Sequence, residues 1–127
     1  LRQLYENVHA EKQQELSARD KDFLTRTINI IAEQIETNSV NVDALASQMA
    51  LSTTQFRYHL KAITGETPQS YITNIRMQKA RQLLDNNAQQ STILDIALRC
   101  GYEDQGAFGR AFKRFYGITP SEYIVRK

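Results

Sequence analysis

The chain has 127 residues, 41% hydrophobic and 24% charged, which suits one modest globular core or two very small ones. Its longest uncharged apolar run, about Ile28 to Ala32, falls far short of the ~20 residues that a bilayer-spanning helix needs. The single Cys100 excludes an internal disulfide and any multi-cysteine zinc site, and the net charge of +2 is uneven, with −3 over residues 1–52 and +5 over residues 53–127.

The sequence opens at Leu1, with no initiator methionine and no apolar run behind a basic start, so a longer protein continuing upstream is expected. Residues 1–19 carry Leu1, Leu4, Val8 and Leu16 at loose helical spacing, interrupted by Glu11 and Glu15, and read as a linker helix and a poor coiled-coil seam. From Asp20 the apolar positions Phe23, Leu24, Ile28, Ile31 and Ile35 form one stripe of an amphipathic helix ending near Asn38.

Asn41 is placed to cap a short helix with Val42, Leu45, Ala46 and Met49 inward. Ser52 and Gln55, three residues apart, form a capping box that opens another helix after a turn of about three residues. Gly65 stops that helix. Thr67 and Pro68 then supply the cap and first position of a long helix to about Asn86, carrying Tyr71, Ile72, Ile75, Ala80, Leu83 and Leu84. After a polar loop, Ile93, Ile96 and Ala97 lie on a helix ended by Gly101. Asp104 caps the next, which runs to about Tyr116, and Thr119, Pro120 and Glu122 open a last short helix. No strand-like alternation is present, so the chain reads as all-α with about seven helices.

One pattern occurs twice, 52 residues apart: Phe56, Leu60, Ile63, Gly65, Thr67, Pro68, Tyr71 and Ile72 recur as Phe108, Phe112, Phe115, Gly117, Thr119, Pro120, Tyr123 and Ile124. The preceding apolar segments repeat at a spacing of 51, Val42, Leu45 and Ala46 against Ile93, Ile96 and Ala97, so one residue is inserted between the halves. Each copy reads as a helix, a tight turn and a second helix, a unit able to set one stripe of side chains in a nucleic-acid groove. The expected division is a linker helix at 1–19, a first helix-turn-helix unit at 20–67, a connecting helix at 68–86 and a second unit at 87–127.

On the first reading helix, expected at 53–63, Phe56, Leu60 and Ile63 face the core while Thr54, Arg57, Tyr58 and Lys61 form an outward stripe. Arg57 suits a guanine edge, Thr54 or Tyr58 a thymine methyl, and Lys61 a phosphate. Carried forward by 52, the stripe becomes Gly106, Gly109, Arg110 and Lys113, with Gln105 beside it, on a helix expected at 104–116. Two helical glycines cost about 1 kcal/mol each against alanine and remove side-chain information. The second unit is therefore expected to discriminate sequence less well, through Arg110 and Gln105, with Lys113 and Arg114 on phosphate. A connector of about 18 residues spans ~27 Å against ~34 Å between successive major grooves, so joint engagement implies a bent duplex or a partly disengaged helix.

These residues resemble the DNA-binding domain of the AraC/XylS family of bacterial transcription regulators over roughly residues 21–126. The resemblance is carried by Ile96-Ala97, Gly101-Tyr102, Phe108, Arg110, Phe112-Lys113, Gly117 and Thr119-Pro120 through Tyr123, with Arg76, Ala80 and Leu83-Leu84 on the connector. It implies two homeodomain-like helix-turn-helix units on a long connecting helix, binding asymmetric promoter DNA to activate or repress transcription. It places base reading on Thr54, Arg57, Tyr58, Gln105, Gly106 and Arg110, and beside it Ser52, Lys61, Lys113 and Arg114 are read as the phosphate contacts. Gly106 and Gly109 depart from the polar residues usual in the family. Residues preceding the first unit are similar to segments joining such domains to phosphorylation-receiver domains of two-component or hybrid sensor regulators, although sugar-sensing or dimerising barrels precede it in other members. Promoter duplex and RNA polymerase are the expected partners, with homodimerisation through an upstream domain, a cytoplasmic location, and neither cofactor nor metal.

Other readings compete at several residues. Phe56, Phe108, Phe112 and Phe115 have core spacing and are not read as base-stacking platforms. His59 lies beside the reading stripe and His9 in the linker, and neither has the neighbours a metal needs. Cys100 corresponds to Met49 at the end of the equivalent helix and reads as a buried small apolar residue. Arg76 and Lys79 suit phosphate, and Arg76 equally suits a structural ion pair with an acidic neighbour. The rival function is a helical protein-interaction module, which ordinarily needs three or more repeats to bury a continuous core; an enzyme is not supported, because no base, orienting group or anion hole accompanies Cys100 or the histidines.

Overall fold

A computed structural model describes residues 17–37, 40–86 and 91–126. Those residues form seven α-helices and no strand: α1 Ala18–Gln34, continued by a 3-10 turn Ile35–Thr37, α2 Val42–Gln48, α3 Thr53–Thr64, α4 Pro68–Asn86, α5 Ile93–Arg99, α6 Gln105–Tyr116 and α7 Pro120–Arg126. The linker positions Leu1 to Leu16 and the expected helix end at Asn38 lie outside the described residues. Helix α1 starts two residues earlier than the apolar pattern suggests. The Ser17 hydroxyl accepts the Asp20 amide at 3.1 Å, making Ser17 the N-cap and Asp20 an acid in the first turn.

The remaining boundaries are set by local capping. The Asn41 side chain accepts from the Ala44 amide at 2.8 Å, and the Thr92 hydroxyl accepts from the Asp95 amide at 3.0 Å. Thr67 receives the Ser70 amide at 3.2 Å, so Pro68 enters α4 where its missing N–H is harmless. Thr119 and Glu122 cap α7 reciprocally, at 3.1 and 2.8 Å. These contacts satisfy amides that a helix start otherwise leaves unpaired.

The helices close over two separate cores. In the first, Leu24, Ile28, Ile31 and Ile35 meet Leu45, Ala46, Met49, Phe56 and Leu60, and Tyr71, Ile72 and Ile75 of α4 complete it. In the second, Met77, Ala80 and Leu84 of the same helix meet Ile96, Ala97, Cys100, Phe108 and Phe112. At 100° per residue the two stripes on α4 stand about 170° apart, so the connector offers opposite faces to the two units.

The units also touch through the end of α1. Gly101 lies so close to Ile35 that a Cβ there would collide with the Ile35 carbonyl oxygen. Nearby, Lys79 Nζ approaches Glu36 Oε2 at 3.3 Å, and the Arg76 guanidinium lies 5.5 Å from the centre of the Tyr102 ring. The Tyr116 hydroxyl donates to the Met77 carbonyl at mid-α4, 3.0 Å away, and the Tyr123 hydroxyl to Asp85 near its end at 2.5 Å, tying α6 and α7 to the connector.

Candidate nucleic-acid interface

Both turns have the same backbone design. Met49 and Cys100 end α2 and α5, Ala50 and Gly101 follow with φ of +61° and +90°, and the amides of Leu51 and Tyr102 return to Ala46 and Ala97 at 2.9 and 3.0 Å. The N-cap Ser52 comes directly after Leu51, whereas Asp104 stands two residues after Tyr102. Glu103, exposed in the second turn, is thus the inserted residue behind the change of spacing from 51 to 52.

Helix α3 opens on the expected capping box, the Gln55 amide reaching Ser52 Oγ at 3.1 Å and the Ser52 amide reaching Gln55 Oε1 at 3.0 Å. Both Ser52 groups, a candidate phosphate contact, are therefore engaged within the helix start. The Thr53 hydroxyl donates to Asp43 at 2.6 Å and fixes α3 against α2. Phe56 and Leu60 are fully buried, while Thr54, Arg57, Tyr58 and Lys61 are all exposed, Tyr58 to 67%. Helix α6 repeats this arrangement: Asp104 Oδ1 accepts the Ala107 amide at 2.7 Å, Phe108 and Phe112 are buried, and Gln105, Gly106, Arg110, Lys113 and Arg114 are exposed. Each helix ends on a left-handed glycine, Gly65 or Gly117, whose amide returns to the carbonyl of Lys61 or Lys113.

Among the described residues, Arg57, Lys61, Arg110, Lys113 and Arg114 have no ion pair within 4.0 Å, so two exposed helix faces carry uncompensated positive charge. Such faces attract a polyanion by release of its condensed counterions. Lys61 and Lys113 also sit in the last turns of their helices, where cations complement the helix dipole.

One expectation changes. Phe115 is 41% exposed, because the second core is already filled by Phe108, Phe112, Tyr116 and Tyr123, and its ring rests edge-on against Tyr116 with centres 4.8 Å apart. His59 stands beside Tyr58 of the reading stripe, with ring centres 6.0 Å apart, and about 150° round α3 from the stripe's centre. It faces an open groove of about 540 Å³ floored by Phe23, Met49, Leu51 and Ile63, its ring 5.9 Å from that of Phe23. Arg76 packs on the Tyr102 ring, and Lys79 pairs with Glu36 at the same junction. Sequence spacing also gives no sign that Arg110 folds back over Gly106, where its Nη1 stands 3.3 Å from the position of an added Cβ.

Cys100 is fully buried, and burial pushes its thiol up to about 12, which keeps it protonated and unreactive at neutral pH. Among the described residues no three His, Cys, Asp or Glu side chains gather to hold a metal, and no helix is long and apolar enough to cross a membrane.

Two tight-turn helix pairs on a shared connector, each with an exposed basic reading helix, define a double helix-turn-helix DNA-binding domain. A helix-turn-helix domain model matches residues 45–126, and the chain belongs to this family, the AraC-type DNA-binding domains of transcription regulators, which are not enzymes. It is 39% identical over 85 residues to the HTH-type transcriptional activator RhaS of Escherichia coli O139:H28, covering 67% of this chain but only 30% of that relative. It is also similar to an AraC-type transcriptional regulator from Chromobacterium violaceum, with TM-score 0.76 and 26% identity over 87% of this chain and 96% of that one. The C-terminal domain of AraT, a response regulator from Geobacillus stearothermophilus, gives TM-score 0.75 and 27% identity, covering 88% of each chain.

Proposed function

We propose that this chain is the promoter-binding part of a bacterial transcription regulator and that α3 and α6 read successive major grooves on one face of a duplex. The observation that carries the reading is the duplicated, N-capped helix with an unpaired basic face, each copy seated on its own core and both tied to α4. In this reading Thr54, Arg57, Tyr58, Gln105, Gly106 and Arg110 face bases, while Lys61, Lys113 and Arg114 meet phosphates; Ser52 serves through its helix start. The four domain segments given above follow the same division. The 19 residues of α4 span about 28 Å, short of the ~34 Å between successive major grooves, so simultaneous insertion bends the duplex toward the protein.

Similarity to the C-terminal domain of AraT supports an output domain controlled by an upstream receiver, and similarity to RhaS supports activation, with RNA polymerase as the further partner and dimerisation supplied from upstream. A cytoplasmic location goes with that role. Selection of bound duplexes from a random library near physiological salt tests the proposal. Two short enriched elements about one helical turn apart are expected. A single element would confine reading to one unit, and no binding even at low salt would favour a helical protein-interaction module.

A further inference from the structure

Glycine is among the least favoured residues inside a helix, and a fold accepts it there for a positive φ or a close backbone approach. Neither reason holds at Gly109. It lies within α6 without a positive φ, and an added Cβ would have no neighbour within 4 Å among the described residues beyond its own helix backbone. Packing within the chain therefore leaves this position open to alanine. At the equivalent place α3 carries the exposed Arg57. Gly106 differs: a Cβ there would stand 3.3 Å from both Arg110 Nη1 and Asp104 Oδ1, so the vacated space is covered by the Arg110 guanidinium lying back along the helix. The reading face of α6 is thus bare backbone at Gly109, with the Arg110 guanidinium laid over Gly106.

We infer that Gly109 is a clearance for DNA and that Gly106 makes room for the Arg110 guanidinium beside it. Helix α6 seats with its backbone against the base-pair edges, closer than α3, which is held off by Arg57 and Tyr58. Arg110, with its reach shortened over Gly106, bonds a guanine O6 and N7 beside the pair that packs on Gly109. This inference rests on the DNA-binding reading and adds that the second unit selects its site by close fit more than by side-chain number.

The test uses Gly109→Ala and the unsubstituted chain, each measured for thermal midpoint and for affinity to the selected duplex and to an unrelated one. The expected result is a higher midpoint together with at least tenfold weaker binding to the selected duplex and less than twofold change on the unrelated one. Binding of the selected duplex within twofold of the unsubstituted chain would overturn the clearance, as would a lowered midpoint, which would show that the fold itself requires glycine. Gly106→Ala, which displaces the Arg110 guanidinium, is expected to relax preference at a single guanine; unaltered preference there would remove Arg110 from the inference. Failure of the unsubstituted chain to bind any duplex would instead refute the DNA-binding reading, so the two failures are separable.

Discussion

Replacing Gly101 with alanine probes the junction between the two units, and the chain contains its own control. Ala50 occupies the equivalent turn position at φ +61°, showing that this fold tolerates an L-residue in left-handed backbone. That strain is worth about 1–2 kcal/mol. At Gly101, φ is +90° and the new Cβ would also strike the Ile35 carbonyl oxygen, a backbone atom unable to rotate aside. Forcing that contact apart adds about 1–3 kcal/mol, as overpacking generally does. The expected total is about 3 kcal/mol or more, which lowers the thermal midpoint by roughly 10 °C in a domain of this size. Urea and thermal unfolding followed by helical circular dichroism measure it. Gly101→Ala should also uncouple the cores into two transitions, because Ile35 belongs to the first and Gly101 follows Cys100 of the second. The converse Ala50→Gly relieves left-handed strain but adds unfolded-state entropy of about 0.5–1 kcal/mol, leaving a net gain of at most about 1.5 kcal/mol. A Gly101→Ala protein within about 0.5 kcal/mol of the parent, melting in one step, would refute the reasoning.

Phe112→Ala should cost about 3–5 kcal/mol by urea titration, whereas Phe115→Ala, removing a ring already 41% exposed, should cost about 1 kcal/mol; equal losses would contradict the exposure. Arg57→Ala should lose about 1–3 kcal/mol on the selected duplex and relax preference at one base, measured by titration against single-base variants. Lys113→Ala should weaken all duplexes alike and reduce the slope of log affinity against log salt by about 0.9, with an unchanged slope removing Lys113 from the phosphate contacts. Because burial raises the Cys100 thiol from 9.0 to about 12, its stabilising contribution is complete below pH 9 and fades as pH rises toward 12. Native-state thiol labelling should therefore be slow at pH 8, and Cys100→Ala should lose less stability over that alkaline range than the parent does.

Features written within three or four residues were legible before any coordinates. Ser52 with Gln55, Thr119 with Glu122, and the caps Asn41 and Asp104 each bond to amides a turn away, so the residue types alone place helix starts. The stripes of α1 and α3 were equally plain because each faces a single core. Helix α4 was harder, since its halves face opposite directions and one amphipathic pattern blurs the other. Phe115 was misread because helical spacing reveals the face of a residue but not whether its neighbours have already filled the interior. The contact of Gly101 with Ile35 joins positions far apart in the chain, and the lay of Arg110 over Gly106 depends on a rotamer; neither leaves a mark in sequence periodicity.

The opposed faces of α4 make its length act as a phase lock. Adding one residue between Ile75 and Met77 would turn the second core about 100° around the first while advancing it only about 1.5 Å, so α6 would leave the DNA before it reached a more distant site. An insertion of seven residues restores the orientation to within about 20°, but the added ~10.5 Å is only about a third of the ~34 Å groove repeat and would carry α6 off the next major groove. The separation of two target elements is therefore quantised. Under the proposed joint reading, base preference changes with a single side chain, whereas a change of spacing has to satisfy the turn of the connector and the repeat of the groove together.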